Sequence, residues 1–266
     1  MLISILNFIF IVTLFYSEPA DCVIITFDPQ PIRFTLADLP PPYATSYVVV
    51  HPKPIPVPDD RQLFIPKGFS IKLSMSSLQD PRYLEYTPIG DILVIESAID
   101  RISSLLDTNY DGFHDQRIII ANETNGLLIP SGIAFANEYL YSGNQYNIRR
   151  YKWENCHQQL SGTDEVVMNH TGIHHISRTI VIPATNDHMY VAIGSASNVD
   201  IDSLRLACIQ IASLDGSNQR TFASSLRNAV GLVFHPITND LYATCQERDE
   251  LGDELVPNFV HVYSGK

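Results

Sequence analysis

Four stretches of this 266-residue chain repeat one pattern, an apolar strand, a polar turn and a second apolar strand. They read PRYLEYTPIGDILVIES, PSGIAFANEYLYSGN, SRTIVIPATNDHMYVAIGS and NAVGLVFHPITNDLYATCQ. Anchored on the second strand at Leu93, Tyr141, Tyr190 and Tyr242, the copies lie 48, 49 and 52 residues apart. Helical solenoids repeat at shorter intervals and carry a period of about 3.6 residues, which these segments lack. A repeat of about fifty residues suits a propeller blade, a four-stranded sheet that hides its faces only against neighbouring blades. The chain is therefore expected to be all-β, a β-propeller with about four blades over residues 62–266. An ordinary β-sandwich with irregular hairpins is the competing architecture.

Composition narrows the function classes. Hydrophobic residues make up 45% and charged ones 17%, the balance of a folded globular chain and not of a coiled coil or a disordered one. Lys plus Arg number 17 against 29 Asp plus Glu, a net charge of −12, so no field gathers phosphate backbones and nucleic acid is not an expected partner.

The first sixteen residues, MLISILNFIFIVTLFY, are almost wholly apolar but shorter than the roughly 20 needed to span a bilayer. Residues 1–20 read as a secretory signal peptide, with an uncleaved anchor as the alternative. A secreted chain, with no stable membrane insertion, is expected. Its four cysteines, Cys22, Cys156, Cys208 and Cys245, would then meet an oxidising compartment, and three connectivities are open to them. Cys208 and Cys245 lie inside the apolar runs LACIQIA and LYATC, where buried free thiols are an equal reading. Asn122 and Asn169 stand in glycosylation triplets. Ten of the seventeen prolines fall between Pro29 and Pro66, so residues 21–61 are expected to form an extended lead-in on the surface.

In a hairpin, the residues just before the first strand and just after the second share one edge of the sheet. His175 lies fifteen positions before Tyr190 and Arg227 fifteen before Tyr242, equivalent places in successive blades. The segment CQERDELGDE, from Cys245 to Glu254, returns to the same rim. One mouth is thus expected to gather an imidazole, a guanidinium, the Asn228 amide and a turn of main-chain carbonyls. A neutral imidazole can accept a proton while a fixed cation and an amide stabilise negative charge nearby. The plainer alternative has His175 capping a strand and Arg227 pairing with a carboxylate such as Asp249, and His174 competes with His175. A second cluster, DTNYDGFHD, places Asp107, Asn109, Asp111 and Asp115 at positions 1, 3, 5 and 9 of a calcium-type loop with Gly112 at position 6. Ile118 stands where such a loop carries its bidentate Glu. The alternative is an Asx-rich turn between strands.

The strings LPPPYATS, IPKGF, PRYLEYTPIGDILVIES, LLDTNYDG, HHISRTIVI, VAIGSASNV, LRNAVGLVFHP and QERDELGDELVP run in order through the chain. In them the sequence resembles the glucose/sorbosone dehydrogenase family, six-bladed β-propeller quinoproteins that oxidise sugars with pyrroloquinoline quinone. A looser likeness extends to fungal pyranose dehydrogenase propellers. The resemblance implies that His175 is the base that takes the proton from the sugar hydroxyl. It implies that Arg227 and Asn228 contact the quinone oxygens, and that the main-chain carbonyls of Glu247 and Arg248 hold a catalytic Ca2+. It also implies, less directly, that Arg82 reaches a cofactor carboxylate. The partners implied are a small-molecule sugar and an external electron acceptor. The family's last two blades and their basic cofactor anchors have no counterpart here, so the chain reads as part of a longer ring. The expected function is a quinoprotein sugar dehydrogenase, hydride passing from sugar to quinone; the alternatives are a non-catalytic secreted propeller that binds carbohydrate or protein, and a propeller hydrolase using calcium as a Lewis acid.

Overall fold

The computed structural model describes residues 23–264 apart from 32, 34, 48–55, 57–61, 72, 155–159, 161–163, 172–173 and 254. The expected signal peptide, Cys22, Cys156 and most of the proline tract from His51 to Asp60 lie outside the described residues.

The chain is all-β. Val23–Phe27 (β1) pairs in parallel with Gln62–Pro66 (β2), Val23 opposite Gln62. The lead-in thus contributes a strand that its proline content did not announce. Four antiparallel blades follow. The first holds β3 (Pro81–Tyr86), β4 (Ile92–Glu96), β5 (Arg101–Leu106) and β6 (Gln116–Ala121). The second holds β7 (Gly132–Ala136), β8 (Tyr139–Gly143), β9 (Asn147–Lys152) and β10 (Glu165–Asn169). The third holds β11 (Ile180–Val181), β12 (His188–Ile193), β13 (Cys208–Ser213) and β14 (Arg220–Ala223). The last has three strands, β15 (Asn228–Phe234), β16 (Leu241–Gln246) and β17 (Phe259–Tyr263). The repeat read from the sequence is this blade, and Leu93, Tyr141, Tyr190 and Tyr242 each lie in a second strand.

Blades stack because their second strands are apolar on both faces. Side chains alternate across a strand, so in β4 Leu93 and Ile95 point into the space before the second blade, where they meet Ile133, Leu140 and Tyr151. Ile92 and Val94 point the other way, onto Leu78 and Leu105. In β12 Met189, Val191 and Ile193 pack towards the second blade, against Tyr141 and Ile148, while Ala192 packs towards the fourth, against Leu232 and Ala243. Each large side chain fully buried this way contributes about 1.5–3 kcal/mol, which makes the three interblade cores the main source of cohesion. Cys208 and Cys245 are both buried free thiols, one in each of two adjacent cores.

The first strands stand side by side in the order β3, β7, β11, β15. At the end where they begin, a hydrogen bond crosses every blade boundary. Ser97 Oγ donates to Pro130 O at 2.6 Å, Arg178 N to Ser131 Oγ at 2.7 Å, and Ser195 N to Arg227 O at 2.7 Å. This end is the rim that carries the candidate residues.

A buried carboxylate anchors the rim on the first blade. Glu96 accepts from Arg101 Nε at 2.9 Å and Nη2 at 2.8 Å, from Ser103 Oγ at 2.7 Å and from Gln79 N at 2.8 Å. Burial alone would push its pKa up, but these donors together hold it below the ordinary 4.5. Its stabilising contribution is therefore complete above about pH 4.5 and fades as the pH falls through the lower folded-state value. Glu96→Ala, which strands Arg101, is expected to lower the free energy of unfolding by about 3–5 kcal/mol, read as a shifted urea midpoint.

Candidate functional site

His175 lies in the loop that leads into β11, and its ring reaches back to the end of β12. Nδ1 stands 2.9 Å from Ser195 O and 3.1 Å from Ser195 Oγ. A carbonyl only accepts, and Ser195 Oγ gives its own proton to Ser197 O at 2.6 Å, so Nδ1 carries the hydrogen. The lone pair of the neutral ring is left on Nε2. The imidazole pKa falls below 6.5 mainly because the ring is partly buried. The Ser195 carbonyl counteracts this, the nearby Arg227 and His174 lower it further, and Asp249 raises it. The ring is thus neutral near pH 7 with its basic nitrogen defined. His174 stacks edge-on at 4.7 Å between ring centroids.

Arg227 and Asn228 come from the next blade, at the start of β15. The guanidinium donates through Nε to Asn198 O at 3.1 Å and through Nη2 to Asn198 Oδ1 at 2.9 Å and Asp249 Oδ2 at 3.1 Å. The carboxylate partner that the plainer alternative foresaw is therefore present. Asn228 donates from Nδ2 to Gln246 Oε1 at 3.0 Å, while its Oδ1 is buried without a partner. Such an orphan costs about 1–3 kcal/mol.

Gly194, the residue after β12, lies between the two blades. A Cβ there would overlap the His175 side chain and stand 2.6 Å from Asn228 Oδ1. Only a residue without a side chain lets the imidazole and the amide approach each other across this boundary.

Beside them opens a cavity of about 740 Å³, lined among others by Tyr47, His174, Arg227, Glu247, Arg248 and Asp249. The 247–248 turn and the His174–His175 loop therefore face one space. A second hollow of about 460 Å³ shares Asn198, Arg227, Glu247 and Arg248 and extends towards Ser195 and Leu206. The loop from Glu247 to Asn258 is held from an unexpected quarter: Tyr43 N donates to Leu251 O at 2.7 Å and Asp253 N to Thr45 Oγ1 at 2.9 Å. The lead-in thus forms part of the cavity wall.

Two of the sequence candidates stand apart. Arg82 pairs with Asp80 at 3.0 Å on the first blade, two blades from His175. Asp107, Asn109, Asp111 and Asp115 lie between β5 and β6, at the end of the blade opposite the rim. Their oxygens serve the loop itself: Asp107 accepts from Asp111 N at 3.1 Å and Gly112 N at 2.8 Å, Asn109 from Asp111 N at 3.0 Å, Asp111 from Phe113 N at 2.8 Å, and Asp115 from Thr108 N at 3.2 Å. This is how an Asx-rich turn ties itself together. Sequence reasoning did not single out Ser195, Gly194, Asn198 or Thr45. The strings VAIGSASNV and LPPPYATS held them, but no rule of spacing marks a residue whose work is to supply a carbonyl or to lack a side chain.

The donor set can be tested against an anionic quinone and a divalent cation. Two guanidiniums in the lining, Arg227 and Arg248, offer donors for anionic oxygens. The lining also carries Glu247, Asp249, Glu250 and Asp253, an acidic excess that suits a polyanion only in the company of a cation. Among the described residues, no group of three His, Cys, Asp or Glu side chains converges on a metal position, so a cation here would be left to main-chain oxygens. The residues fit the pair. Gly194→Ala is expected to force His175 and Asn228 apart while the blades persist, read as a changed His175 imidazole resonance in a protein with unchanged far-ultraviolet circular dichroism.

A family model described as TrAA12-like matches residues 63–260. The fold is similar to that of the carbohydrate-active enzyme family AA12 protein of Trichoderma reesei in its iodide structure. The TM-score is 0.62 at 16% identity, over 71% of this chain and 52% of that one. It is also similar to the holo pyranose dehydrogenase PQQ domain of Coprinopsis cinerea, with a TM-score of 0.57 at 16% identity over 69% of this chain and 53% of that one. An uncharacterized protein of Borreliella burgdorferi is 35% identical over 88 residues, 33% of this chain and 23% of that protein. The chain therefore spans about half the length of these solved structures and under a quarter of the Borreliella protein. With its match running through all four blades, the chain belongs to the TrAA12-like family.

Proposed function

We propose that this chain carries the catalytic rim of a secreted quinoprotein sugar dehydrogenase. The observation that carries the reading is the approach of His175 and Asn228 over Gly194, a ring whose basic nitrogen is defined by Ser195 brought to the rim where Arg227 stands. His175 Nε2 takes the proton of a sugar hydroxyl; the ring enters the reaction neutral, and the Ser195 carbonyl on Nδ1 steadies the imidazolium that forms. Arg227 faces the oxygens on which negative charge collects, and the Asn228 amide stands beside it with its Nδ2 donating to Gln246. The main-chain carbonyls of Glu247 and Arg248 would hold Ca2+, a hard cation that takes such oxygens readily. When bound, pyrroloquinoline quinone supplies the hydride acceptor. We leave Arg82, paired with Asp80 on the first blade, outside this cluster, and we assign the Asp107–Asp115 loop to turn-making. The apolar leader, residues 1–20, supports export, and among the described residues no helix is long and apolar enough to cross a membrane.

The test is reduction of an external dye by the protein supplied with quinone and Ca2+, over a panel of aldoses. Sugar-dependent reduction is expected, and His175→Ala is expected to lower kcat at least about 100-fold, the usual reach of a general base. A chain whose reduction rate ignores both the sugar and the substitution is no dehydrogenase.

A second reading, a non-catalytic propeller that binds carbohydrate or protein at its rim, draws support from the commitment of Arg227 to Asn198 and Asp249. Titration calorimetry separates the two. Heat of quinone binding that disappears when Ca2+ is chelated is expected for the enzyme, and no heat in either condition for the binding module.

A further inference from the structure

The bulkiest fully buried side chain among the described residues belongs to Arg178. Removing a guanidinium from water costs several kcal/mol unless its N–H groups find acceptors in good geometry. Nη1 donates to His175 O at 2.5 Å and to Ser177 O at 2.6 Å, and Nε donates to His170 Nδ1 at 3.2 Å. Two of these acceptors are main-chain carbonyls of the very turn that presents His175.

The second blade is shaped to receive this residue. A Cβ on Gly132, where β7 begins, or on Gly143, where β8 ends, would overlap the Arg178 carbonyl. Ser131 Oγ accepts from Arg178 N at 2.7 Å and reaches Ile176 O at 3.4 Å. The main chain of Arg178 is thus wedged into the mouth of one blade while its side chain curls back beneath residues 175–177. His170 must be neutral to accept at Nδ1, and burial together with the Arg178 charge keeps it so, pulling its pKa to about 3. Burial draws the guanidinium down to about 10, still charged near neutrality.

We propose that Arg178 is the positioning residue of the candidate base, its buried guanidinium holding the His175 turn at the height where the imidazole meets Ser195 on the third blade and Asn228 on the fourth. The ring then has two anchors, its own main-chain carbonyl on Arg178 and its Nδ1 on Ser195. Lysine cannot replace this fork, because one ammonium lacks the planar spread that reaches two carbonyls and His170 together. The inference rests on the reading of His175 as a proton acceptor, yet its geometry can be tested without quinone or sugar.

The experiment is heteronuclear NMR of the histidine side chains in the ligand-free protein across pH, with His175→Gln assigning the resonance. In the parent protein His175 is expected as the Nδ1–H tautomer, titrating below 6.5. In Arg178→Lys a mixture of tautomers and a titration moved up towards that value are expected, with circular dichroism unchanged. Ser131→Ala, a milder loss of the same support, is expected to move both in the same direction by less. The charged groups around the ring, His174, Arg227 and Asp249, are untouched in both variants. If the dehydrogenase assay succeeds, Arg178→Lys should lower kcat about 100-fold, the cost of a displacement of about 1 Å, with the sugar KM within about twofold. An unmoved tautomer and titration in a folded Arg178→Lys protein overturn the proposal; should that variant not fold, the same result in Ser131→Ala does. A shifted imidazole in a protein that oxidises no sugar keeps the positioning role and overturns only the dehydrogenase reading.

Discussion

The back-to-back burial of apolar second strands is the constraint on which the rest of the molecule depends. A single blade has two greasy faces and cannot cover either by itself, so each face must meet a neighbour. Ile193 and Ala192, consecutive in β12, enter the cores on opposite sides of one sheet. That packing sets the first strands side by side and fixes how their starting residues approach. His175 and Asn228 meet because blades three and four have no other way to bury what lies between them.

The electrostatics of the rim follow from how unequally its groups are wetted. Arg227 is 13% exposed and Asp249 77%, so their ion pair is half in water and is worth about 1 kcal/mol or less. A ligand oxygen arriving from the cavity displaces such a partner at little cost. Asn228 Oδ1, in contrast, is already paying the cost of having no partner. The rim therefore combines a well-anchored cation whose carboxylate partner is largely in water with an acceptor left unpaired, next to an imidazole kept neutral. Glu96 on the first blade shows the opposite arrangement, every oxygen claimed and the group wholly buried, which is what a structural carboxylate looks like in the same fold.

Much of this was legible in the residues. The spacing of Leu93, Tyr141, Tyr190 and Tyr242 marked the blades because burial on two faces leaves a local, repeated signature. The equal offsets of His175 and Arg227 pointed to one edge for the same reason. What stayed hidden depends on contacts without a local pattern. Val23–Phe27 finds its partner at Gln62–Pro66 across a proline tract, and nothing in the composition of the lead-in announces that pairing. The Asp107–Asp115 loop carries a metal-like spacing, and its carboxylates accept from the loop's own amides, bonds that spacing alone does not announce. Arg178 stands in the string HHISRTIVI without any local signal of its burial. Its seat is shaped by Gly132 and Gly143, far away in sequence, whose missing side chains make room for its main-chain carbonyl.

The grip of Thr45 on the loop beyond Glu247 has a consequence for assembly. Synthesis proceeds from the amino terminus, so the stretch around Tyr43 and Thr45 leaves the ribosome some two hundred residues before Leu251 and Asp253. The far wall of the cavity cannot close until the fourth blade has emerged and docked. A nascent chain halted after three blades would carry the imidazole in place and the mouth still gaping.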